Sequence, residues 1–281
     1  AANYQLVNTV TGSATVEKAA ITIAGSFTAS SKQYDGTANA TILSNSLTPN
    51  PAQLISGDSL QFAATLEFNS AAVGNGKSVV IVSASISGAD ADNYQLSLAG
   101  APSATASITK RDLVLSGISA NKPYDGDSIA TFIGDATISN IVGTEDVEVS
   151  GIASGTFDSS NFGSRTITLG GLSLIGADAG NYQLPTTLTG TISKRNIEAS
   201  IIGNPTKTYD GISTISLSSA NYSFSNVVAG ETIGISNTSA TLDTDAAGSR
   251  VATVGSPTLT GATAANYQLV NTVTGSATVE K

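Results

Sequence analysis

The residues most able to take part in chemistry lie in two short motifs that recur along the chain. One motif is Lys-x-Tyr-Asp-Gly at 32–36, 122–126 and 207–211, and the other is Asn-Tyr-Gln-Leu at 3–6, 93–96, 181–184 and 266–269. Lysine, tyrosine and aspartate could serve as acid, base or nucleophile. An enzyme needs one catalytic set rather than three, so the repetition favours a structural role. We expect the Asp-Gly pair to form a turn, and the tyrosine to bury its ring while its hydroxyl ties a loop to backbone.

The residues predicted to do this structural work are common to the copies of the two motifs. They are Tyr34, Asp35, Gly36, Tyr124, Asp125, Gly126, Tyr209, Asp210, Gly211, Asn93, Tyr94, Asn181, Tyr182, Asn266 and Tyr267. Of the 8 tyrosines in the chain, Tyr222 is the one outside both motifs. Such placement indicates one task performed repeatedly.

Acidic loops precede the second motif and raise the question of calcium. The loops read Gly88-Ala-Asp-Ala-Asp-Asn-Tyr94 and Gly176-Ala-Asp-Ala-Gly-Asn-Tyr182. Ca²⁺ takes six to eight oxygen ligands, so a weak site at Asp90, Asp92 and Asp178 is one prediction. The other is a turn in which Asp and Asn accept from nearby backbone N–H groups. The third loop, Gly261-Ala-Thr-Ala-Ala-Asn-Tyr267, lacks both carboxylates and favours the turn.

The composition excludes several functional classes. The 281 residues include no His, Cys, Met or Trp, so Cys/His zinc sites, thiolate nucleophiles and Ser-His-Asp triads are excluded. With 12 Lys+Arg against 21 Asp+Glu the net charge is −9, which argues against nucleic acid as a partner. No apolar run approaches the ~20 residues of a membrane span. Paired carboxylates could still hydrolyse glycosides, but no pair stands out, and we expect no enzyme activity and no cofactor beyond the calcium alternative.

Repeats organise the whole chain. Residues 1–18 are identical to 264–281, which indicates a recently duplicated block and a longer parent protein that carries it in tandem. Within the block both motifs return in a unit of about ninety residues. We predict domains at 19–110, 111–194 and 195–281, preceded by residues 1–18 as the C-terminal strand or strands of an earlier repeat. These three domains are called repeats 1, 2 and 3.

Each repeat contains short stretches in which apolar residues alternate with polar ones. Examples in repeat 2 are Leu113–Gly117, Ile129–Ile133 and Thr166–Leu169. Alternation with turn residues between the stretches is typical of β-sandwiches. The joints at Lys110–Arg111 and Lys194–Arg195 contain no linker composition. The sequence therefore predicts an all-β protein of three tandem Ig-like β-sandwich domains, end to end in an elongated rod.

The ordered motifs resemble the MBG/YDG repeat domains, described as mostly β with glycines. The resemblance rests on Tyr-Asp-Gly after a first strand, on the Gly-Ala-Asp-Ala-x-Asn-Tyr element, and on the closing Thr-Gly-Thr-Ile-Ser-Lys of repeat 2. It implies modules of large bacterial adhesins, filamentous-haemagglutinin-like secreted proteins or biofilm-matrix proteins, and it brings no catalytic residues. The expected location is then extracellular, at the bacterial surface or in a secreted matrix.

Two functions remain open from the sequence. The first is a stalk or extender that projects a binding tip or builds a matrix fibre, with neighbouring repeats of the same chain as partners. The second is a module that itself binds a glycan, a protein or other copies. For self-association, strands such as Tyr4–Val7 and Ala14–Val16 could add to the sheet edge of another chain.

Overall fold

The computed structural model describes residues 8–281 and is built almost entirely of β-strands. The prediction of an all-β protein with three tandem β domains is confirmed. The predicted strand Tyr4–Val7 lies outside the described residues. The described chain contains no α-helix, and its helical turns are four 3₁₀ segments at Ala91–Asn93, Ala179–Asn181, Ser219–Asn221 and Ala264–Asn266.

Thirty strands are distributed over the repeats. Repeat 1 contains β1 (Ala19–Ile21), β2 (Ile23–Ala24), β3 (Phe27–Ala29), β4 (Lys32–Gln33), β5 (Asn39–Ala40), β6 (Ile42–Asn45), β7 (Thr48–Pro49), β8 (Gln61–Phe68), β9 (Gly74–Ser87), β10 (Tyr94–Leu96) and β11 (Ser103–Thr109). Repeat 2 contains β12 (Arg111–Asp112), β13 (Val114–Ser116), β14 (Asn121–Pro123), β15 (Ile129–Thr131), β16 (Thr137–Ser139), β17 (Glu148–Phe157), β18 (Gly163–Ile175), β19 (Tyr182–Gln183) and β20 (Thr187–Ser193). Repeat 3 contains β21 (Arg195–Ile201), β22 (Thr206–Thr208), β23 (Thr214–Ser216), β24 (Tyr222–Ser225), β25 (Gly234–Ile235), β26 (Ser239–Leu242), β27 (Gly248–Thr253), β28 (Leu259–Thr260), β29 (Tyr267–Leu269) and β30 (Thr274–Glu280).

A five-stranded sheet of the same order occurs in every repeat. The orders are β4-β11-β9-β8-β5, β14-β20-β18-β17-β15 and β22-β30-β27-β26-β23. In each, the last strand runs parallel to the strand that leads into Lys-x-Tyr-Asp-Gly and antiparallel to the long hairpin. The last strand therefore has neighbours on both sides, which places the end of each repeat inside its sheet.

The first strand of each repeat pairs with the strand that begins at the tyrosine of Asn-Tyr-Gln-Leu. These parallel pairs are β1 with β10, β12 with β19 and β21 with β29. The pairing sets Arg111 opposite Tyr182 and Arg195 opposite Tyr267. The residue that follows a joint is thereby held beside the second motif.

Alternate residues of the strands form the cores. Repeat 3 buries Ile201, Leu242 and Val273 in one cluster, and a second cluster contains Phe157 and Ile167 of repeat 2. Burial of side chains of this size stabilises each domain by about 1.5–3 kcal/mol per residue.

The described chain divides into two compact units, and the division runs through repeat 2. The first unit holds the described residues up to Leu113 with 140–147 and 176–183. The second unit holds 114–139, 148–175 and 184–281. Each unit contains one complete contact region between successive repeats. Junction 1, between repeats 1 and 2, lies in the first unit, and junction 2, between repeats 2 and 3, lies in the second.

The sequence Thr-Gly-Ser-Ala-Thr-Val-Glu occurs at 11–17 and at 274–280, and its secondary structure differs between the two places. Thr274–Glu280 forms β30 between β22 and β27. The identical residues 11–17 form no strand and are exposed, and no sheet neighbour flanks them in the described structure. The strand propensity of these residues therefore needs neighbouring strands to take effect, because a single strand leaves its backbone groups and apolar face in water.

Gly275→Ala is expected to destabilise repeat 3, and Gly12→Ala is its matched control in the same sequence. A Cβ at Gly275 would lie 2.2 Å from the carbonyl oxygen of Ile201, whereas a Cβ at Gly12 would have nothing within 4 Å. We expect Gly275→Ala to lower the free energy of unfolding by roughly 1–3 kcal/mol, and Gly12→Ala to change it by less than about 0.5 kcal/mol. Urea unfolding of the two variants checks this, and equal effects would contradict the described placement of β30.

Candidate functional site at the junctions between repeats

At junction 1 a glutamate joins two tyrosines that come from successive repeats. The hydroxyl of Tyr34 in repeat 1 donates to Glu145 Oε1 at 2.7 Å, and the hydroxyl of Tyr182 in repeat 2 donates to Glu145 Oε2 at 2.6 Å. The two rings meet edge to face, with centroids 5.5 Å apart. Hydrogen bonds to an ionised acceptor are among the stronger ones in proteins, and an edge-to-face pair adds to them. The two recurring motifs thus meet each other across the joint.

Junction 2 repeats this arrangement one repeat later. Tyr124 of repeat 2 donates to Glu231 Oε1 at 2.5 Å, and Tyr267 of repeat 3 donates to Glu231 Oε2 at 2.6 Å. The ring centroids are 5.4 Å apart, again edge to face. Thr263 adds a third donor to Glu231 Oε2 at 2.6 Å. Thr263 stands where the first two loops have aspartate, so in repeat 3 this loop position bonds directly to the junction glutamate.

A local turn places the glutamate at each junction. Glu145 N–H donates to Val142 O, and Glu231 N–H donates to Val228 O. Within the same turn Val142 N–H donates to the hydroxyl of Tyr182 at 2.9 Å. The second-motif tyrosine therefore accepts from backbone and donates to the carboxylate, which fixes both partners.

An arginine immediately after each joint forms a second link. At junction 1 Arg111 Nε donates to Asn140 O at 2.7 Å, and its Nη1 donates to Tyr34 O at 3.4 Å. At junction 2 Arg195 makes the matching bonds to Asn226 O at 2.6 Å and Tyr124 O at 3.3 Å. The guanidinium thus holds the first-motif turn of the preceding repeat.

The asparagines that receive these arginines adopt a left-handed backbone conformation. Their φ values are 76° at Asn140 and 64° at Asn226. Asparagine tolerates this region better than most residues. Each side chain also donates back to the strand after the joint, to Asp112 O or Asn196 O. The turn and the joint are therefore tied together on both sides.

The asparagine of the second motif contacts the hairpin loop of the preceding repeat. Asn181 Oδ1 accepts from Val73 N–H at 3.1 Å in junction 1, and Asn266 Oδ1 accepts from Phe162 N–H at 3.0 Å in junction 2. Asn266 is 2% exposed, and its side-chain N–H group also donates to Asn161 Oδ1. The asparagine of the motif therefore bonds to the preceding repeat, and the tyrosine ring meets that repeat through the edge-to-face pair.

The Lys-x-Tyr-Asp-Gly turn is preorganised within its own repeat. Lys32 pairs with Asp35 at 2.8 Å, and Lys207 pairs with Asp210 at 2.5 Å. The aspartate also accepts from the N–H group two residues later, at Thr37 or Ile212. These contacts close a compact turn with the tyrosine at its tip. The same bonds occur at Lys122, Asp125 and Asp127 in repeat 2.

The glycine of the turn leaves room for the next repeat. A Cβ at Gly36 would lie 2.9 Å from Val142 Cγ1, and one at Gly126 would lie 3.1 Å from Val228 Cγ1. The backbone at these glycines has φ of +79° and +89°, which glycine adopts without strain. Close approach and backbone conformation both select glycine.

The copy of the turn in repeat 3 is exposed. Tyr209 is 54% exposed, whereas Tyr34 is 5% and Tyr124 is 2% exposed. A Cβ at Gly211 would have nothing within 4 Å. The burial of the first-motif tyrosine therefore depends on a following repeat and not on its own domain.

Burial and hydrogen bonding set the protonation of the junction. Burial, followed by the hydrogen bond to Glu231, raises the pKa of Tyr124 to about 12. Burial and the Glu145 bond likewise raise the pKa of Tyr34. Burial opposes ionisation of Glu231, but the bonds from Thr263, Tyr124 and Tyr267 outweigh it and lower its pKa. At neutral pH the tyrosines are donors and the glutamate is an acceptor.

The carboxylates proposed for calcium lie in two loops, with Asp90 and Asp92 in one and Asp178 in the other. Asp90 Oδ2 accepts from Ser59 N–H and Asp178 Oδ2 accepts from Asp146 N–H, both at 3.0 Å, while Asp92 is exposed. Among residues 8–281 no group of three or more acidic, His or Cys side chains is placed to hold a metal ion. The calcium site stays a prediction, which a comparison of thermal unfolding with and without chelator would test.

Sequence reasoning found the two motifs but missed their partners. The predicted site residues do not include Glu145 and Glu231, nor do they include Arg111 and Arg195. The available signal was positional: a Glu three residues after a valine, and an Arg directly after the Lys that ends a repeat, occur at both joints. The tyrosine hydroxyls were expected to tie loops to backbone, and those of Tyr34 and Tyr124 instead reach the carboxylate of the next repeat.

Comparison with known proteins identifies three consecutive domains of one kind. A family model described as the YDG domain matches residues 16–105, 109–190 and 193–275, which is most of the chain. Neither the curated proteins nor the solved structures contain a match to this chain.

Tyr124→Phe is expected to destabilise the chain, with Tyr209→Phe as its control in the same motif. Removal of the Tyr124 hydroxyl deletes a hydrogen bond to a charged acceptor, worth about 1.5–3 kcal/mol. Tyr209 is exposed, so loss of its hydroxyl should change the free energy of unfolding by less than about 0.5 kcal/mol. Chemical denaturation measures both. Equal stability of the two variants would show that the junction bond contributes nothing.

Acid is expected to weaken junction 2 through Glu231. Because the folded-state pKa of Glu231 is lowered, its stabilisation is present above the unfolded-state pKa and is lost as the pH falls through the folded-state pKa. Between about pH 5 and pH 3 the wild type should therefore lose more thermal stability than Glu231→Gln, which has no carboxylate to protonate there. Parallel acid dependence of the two melting temperatures would exclude this role.

Proposed function

The chain belongs to the YDG domain family, and from that premise we propose that its repeats form a non-enzymatic stalk or extender region of a long bacterial cell-surface adhesin or extracellular matrix fibre protein. The observation that carries the proposal is the doubled junction. Glu145 and Glu231 each receive one tyrosine from either side of a joint. A spacer needs every joint to be held in the same way, and a catalytic or ligand-binding protein does not.

The local chemistry supports a mechanical rather than a catalytic use of these residues. The tyrosines are protonated donors, and each glutamate carboxylate accepts from two of them, so both groups are engaged in the junction. The turn lysines are paired with aspartate in every repeat. The described residues also contain no helix that could span a lipid bilayer. In this proposal the partners are neighbouring repeats, no cofactor takes part, and the location is extracellular.

The strand arrangement supports the bearing of tension. The last strand of repeat 2, β20, has ladder bonds to β14 on one side and to β18 on the other. It then continues through Lys194 into β21, the first strand of repeat 3. A pull along the chain loads the bonds of β20 in shear, so several must break together. The proline-free, glycine-free joint adds no slack.

The alternative function is a module that makes contacts of its own, with a glycan, a protein or another copy. For a copy of the same chain, the observation that favours it is the exposure of Tyr209.

Single-molecule extension of the whole chain, tethered at its two ends, tests the stalk proposal. We expect three unfolding steps of about 300 Å each, the contour of roughly ninety residues at ~3.4 Å per residue. The double variant Tyr34→Ala/Tyr124→Ala should unfold at lower force, because both junctions lose their shared carboxylate contacts.

Tyr209→Ala is the control for that experiment and should leave force and step size unchanged. Smooth extension without steps would contradict a load-bearing role. Equal forces in the double variant and the control would show that the junctions do not contribute to it.

A further inference from the structure

We propose that a surface of repeat 1 is a docking socket for the Lys-x-Tyr-Asp-Gly turn of repeat 3 in a second copy of this chain. The socket is defined as Ile55, Asp58, Asn93 and Tyr94, and the plug as Tyr209, Asp210, Gly211 and Ile212. The inference rests on the geometry of junctions 1 and 2 and goes beyond the stalk proposal, because it names the partner of an outer surface.

The socket has the same internal bonds as the receiving side of each junction. The hydroxyl of Tyr94 donates to Asp58 Oδ2 at 2.7 Å, and Ile55 N–H donates to the hydroxyl of Tyr94 at 2.9 Å. Asp58 N–H donates to Ile55 O, which closes the turn. Glu145 and Tyr182 are held in this manner at junction 1. Repeat 1 therefore presents a formed receiving site.

Among residues 8–281 no Lys-x-Tyr-Asp-Gly turn lies against the socket. Ile55 is 58% exposed. In contrast, the matching Val142 and Val228 are partly covered by the turn glycine of the preceding repeat. Asn93 is exposed, whereas its counterpart Asn266 is buried against a hairpin loop. At both internal junctions the turn covers a valine beside an acceptor carboxylate. In the socket the isoleucine at this position is exposed.

The plug has the matching features on repeat 3. Tyr209 is 54% and Ile212 is 55% exposed, and the turn is closed by the pair between Lys207 and Asp210. Gly211 has open space where Gly36 contacts the next repeat. Ala247 precedes β27 as Val73 precedes β9 and Phe162 precedes β18, so in the proposed contact its amide takes the place of the donor to Asn93.

The sequence itself identifies repeat 3 as the occupant. The residues that lead into repeat 1, up to Lys18, are identical to those that end repeat 3 at Lys281. In each internal joint the repeat that ends at the joint supplies the tyrosine turn to the repeat that begins there. The segment that leads into repeat 1 is thus the ending of repeat 3, and repeat 3 carries the plug turn. The turns of repeats 1 and 2 are already buried in junctions 1 and 2.

The copy-to-copy contact should be weaker than the internal junctions. Ala19 stands where Arg111 and Arg195 hold the incoming turn, and Asp58 is one methylene shorter than Glu145. When the plug and the socket are linked within one chain, their effective concentration is in the millimolar range, which separate copies do not reach. A head-to-tail contact of this type is heterologous, so it propagates into a filament unless the rotation between copies closes a ring.

Paramagnetic broadening detects the contact even when it is weak. The chain has no cysteine, so Ser213→Cys places a single nitroxide beside the plug on an unlabelled copy. This copy is mixed with the ¹⁵N-labelled wild-type chain. We expect selective broadening of the amide signals of Ile55, Asp58 and Tyr94, increasing with concentration.

Variants on both sides give the specificity of the test. Tyr209→Ala in the nitroxide copy, or Asp58→Ala in the labelled copy, should weaken association tenfold or more and remove the broadening, because a central tyrosine and its acceptor carry much of such an interface. Val251→Ala, which trims an exposed apolar residue elsewhere in repeat 3, is the control and should retain it. The labelled spectra show directly that each chain is folded.

Absence of broadening at the socket, or broadening that survives Tyr209→Ala, would overturn the proposal. Either result leaves the stalk proposal intact, since that depends on junctions 1 and 2 within one chain. Conversely, stepless extension in the single-molecule experiment would leave the docking result to stand alone.

Discussion

The structure of each joint depends on one carboxylate shared by two tyrosine hydroxyls from successive repeats. Glu145 and Glu231 each have two oxygens, and the geometry directs one to each neighbour. A single acceptor used by both sides can be satisfied fully when both repeats are in place. The joint therefore links the stability of one repeat to the presence of the next, as in other tandem arrays where interfaces add to the stability of each unit.

Surrounding residues make this carboxylate a reliable link. The Lys–Asp pair holds the tyrosine turn before it meets its partner, and glycine lets the turn approach a valine closely. The arginine directly after each joint donates a hydrogen bond to the backbone carbonyl of the tyrosine in the same turn. These parts belong to two consecutive repeats, so a duplication that copies both repeats also copies the joint between them.

The differences among the three repeats are as informative as their likeness. Repeat 1 has Asp58 and Ala19 in place of the glutamate and arginine, and repeat 3 exposes Tyr209. Repeat 1 thus carries the socket and repeat 3 carries the plug. A contact between them has fewer anchoring residues than junctions 1 and 2. A contact made with fewer anchors can form under high effective concentration and dissociate otherwise, which suits an interface between blocks better than one within a block.

The sequence alone determined that the chain has three repeats, that it is all-β and that two motifs recur in it, because these depend on period-two alternation, turn chemistry and internal identity, all of which are local. It did not reveal that Tyr34 serves the next repeat, since the partner Glu145 lies more than a hundred residues away. Only the tertiary structure decided that the same residues form a strand at 274–280 and none at 11–17. A strand forms when neighbouring strands bond to its backbone, and the first-motif tyrosine is buried when the glutamate of the next repeat accepts its hydroxyl. These partners are distant in the sequence and are brought together only by the tertiary structure.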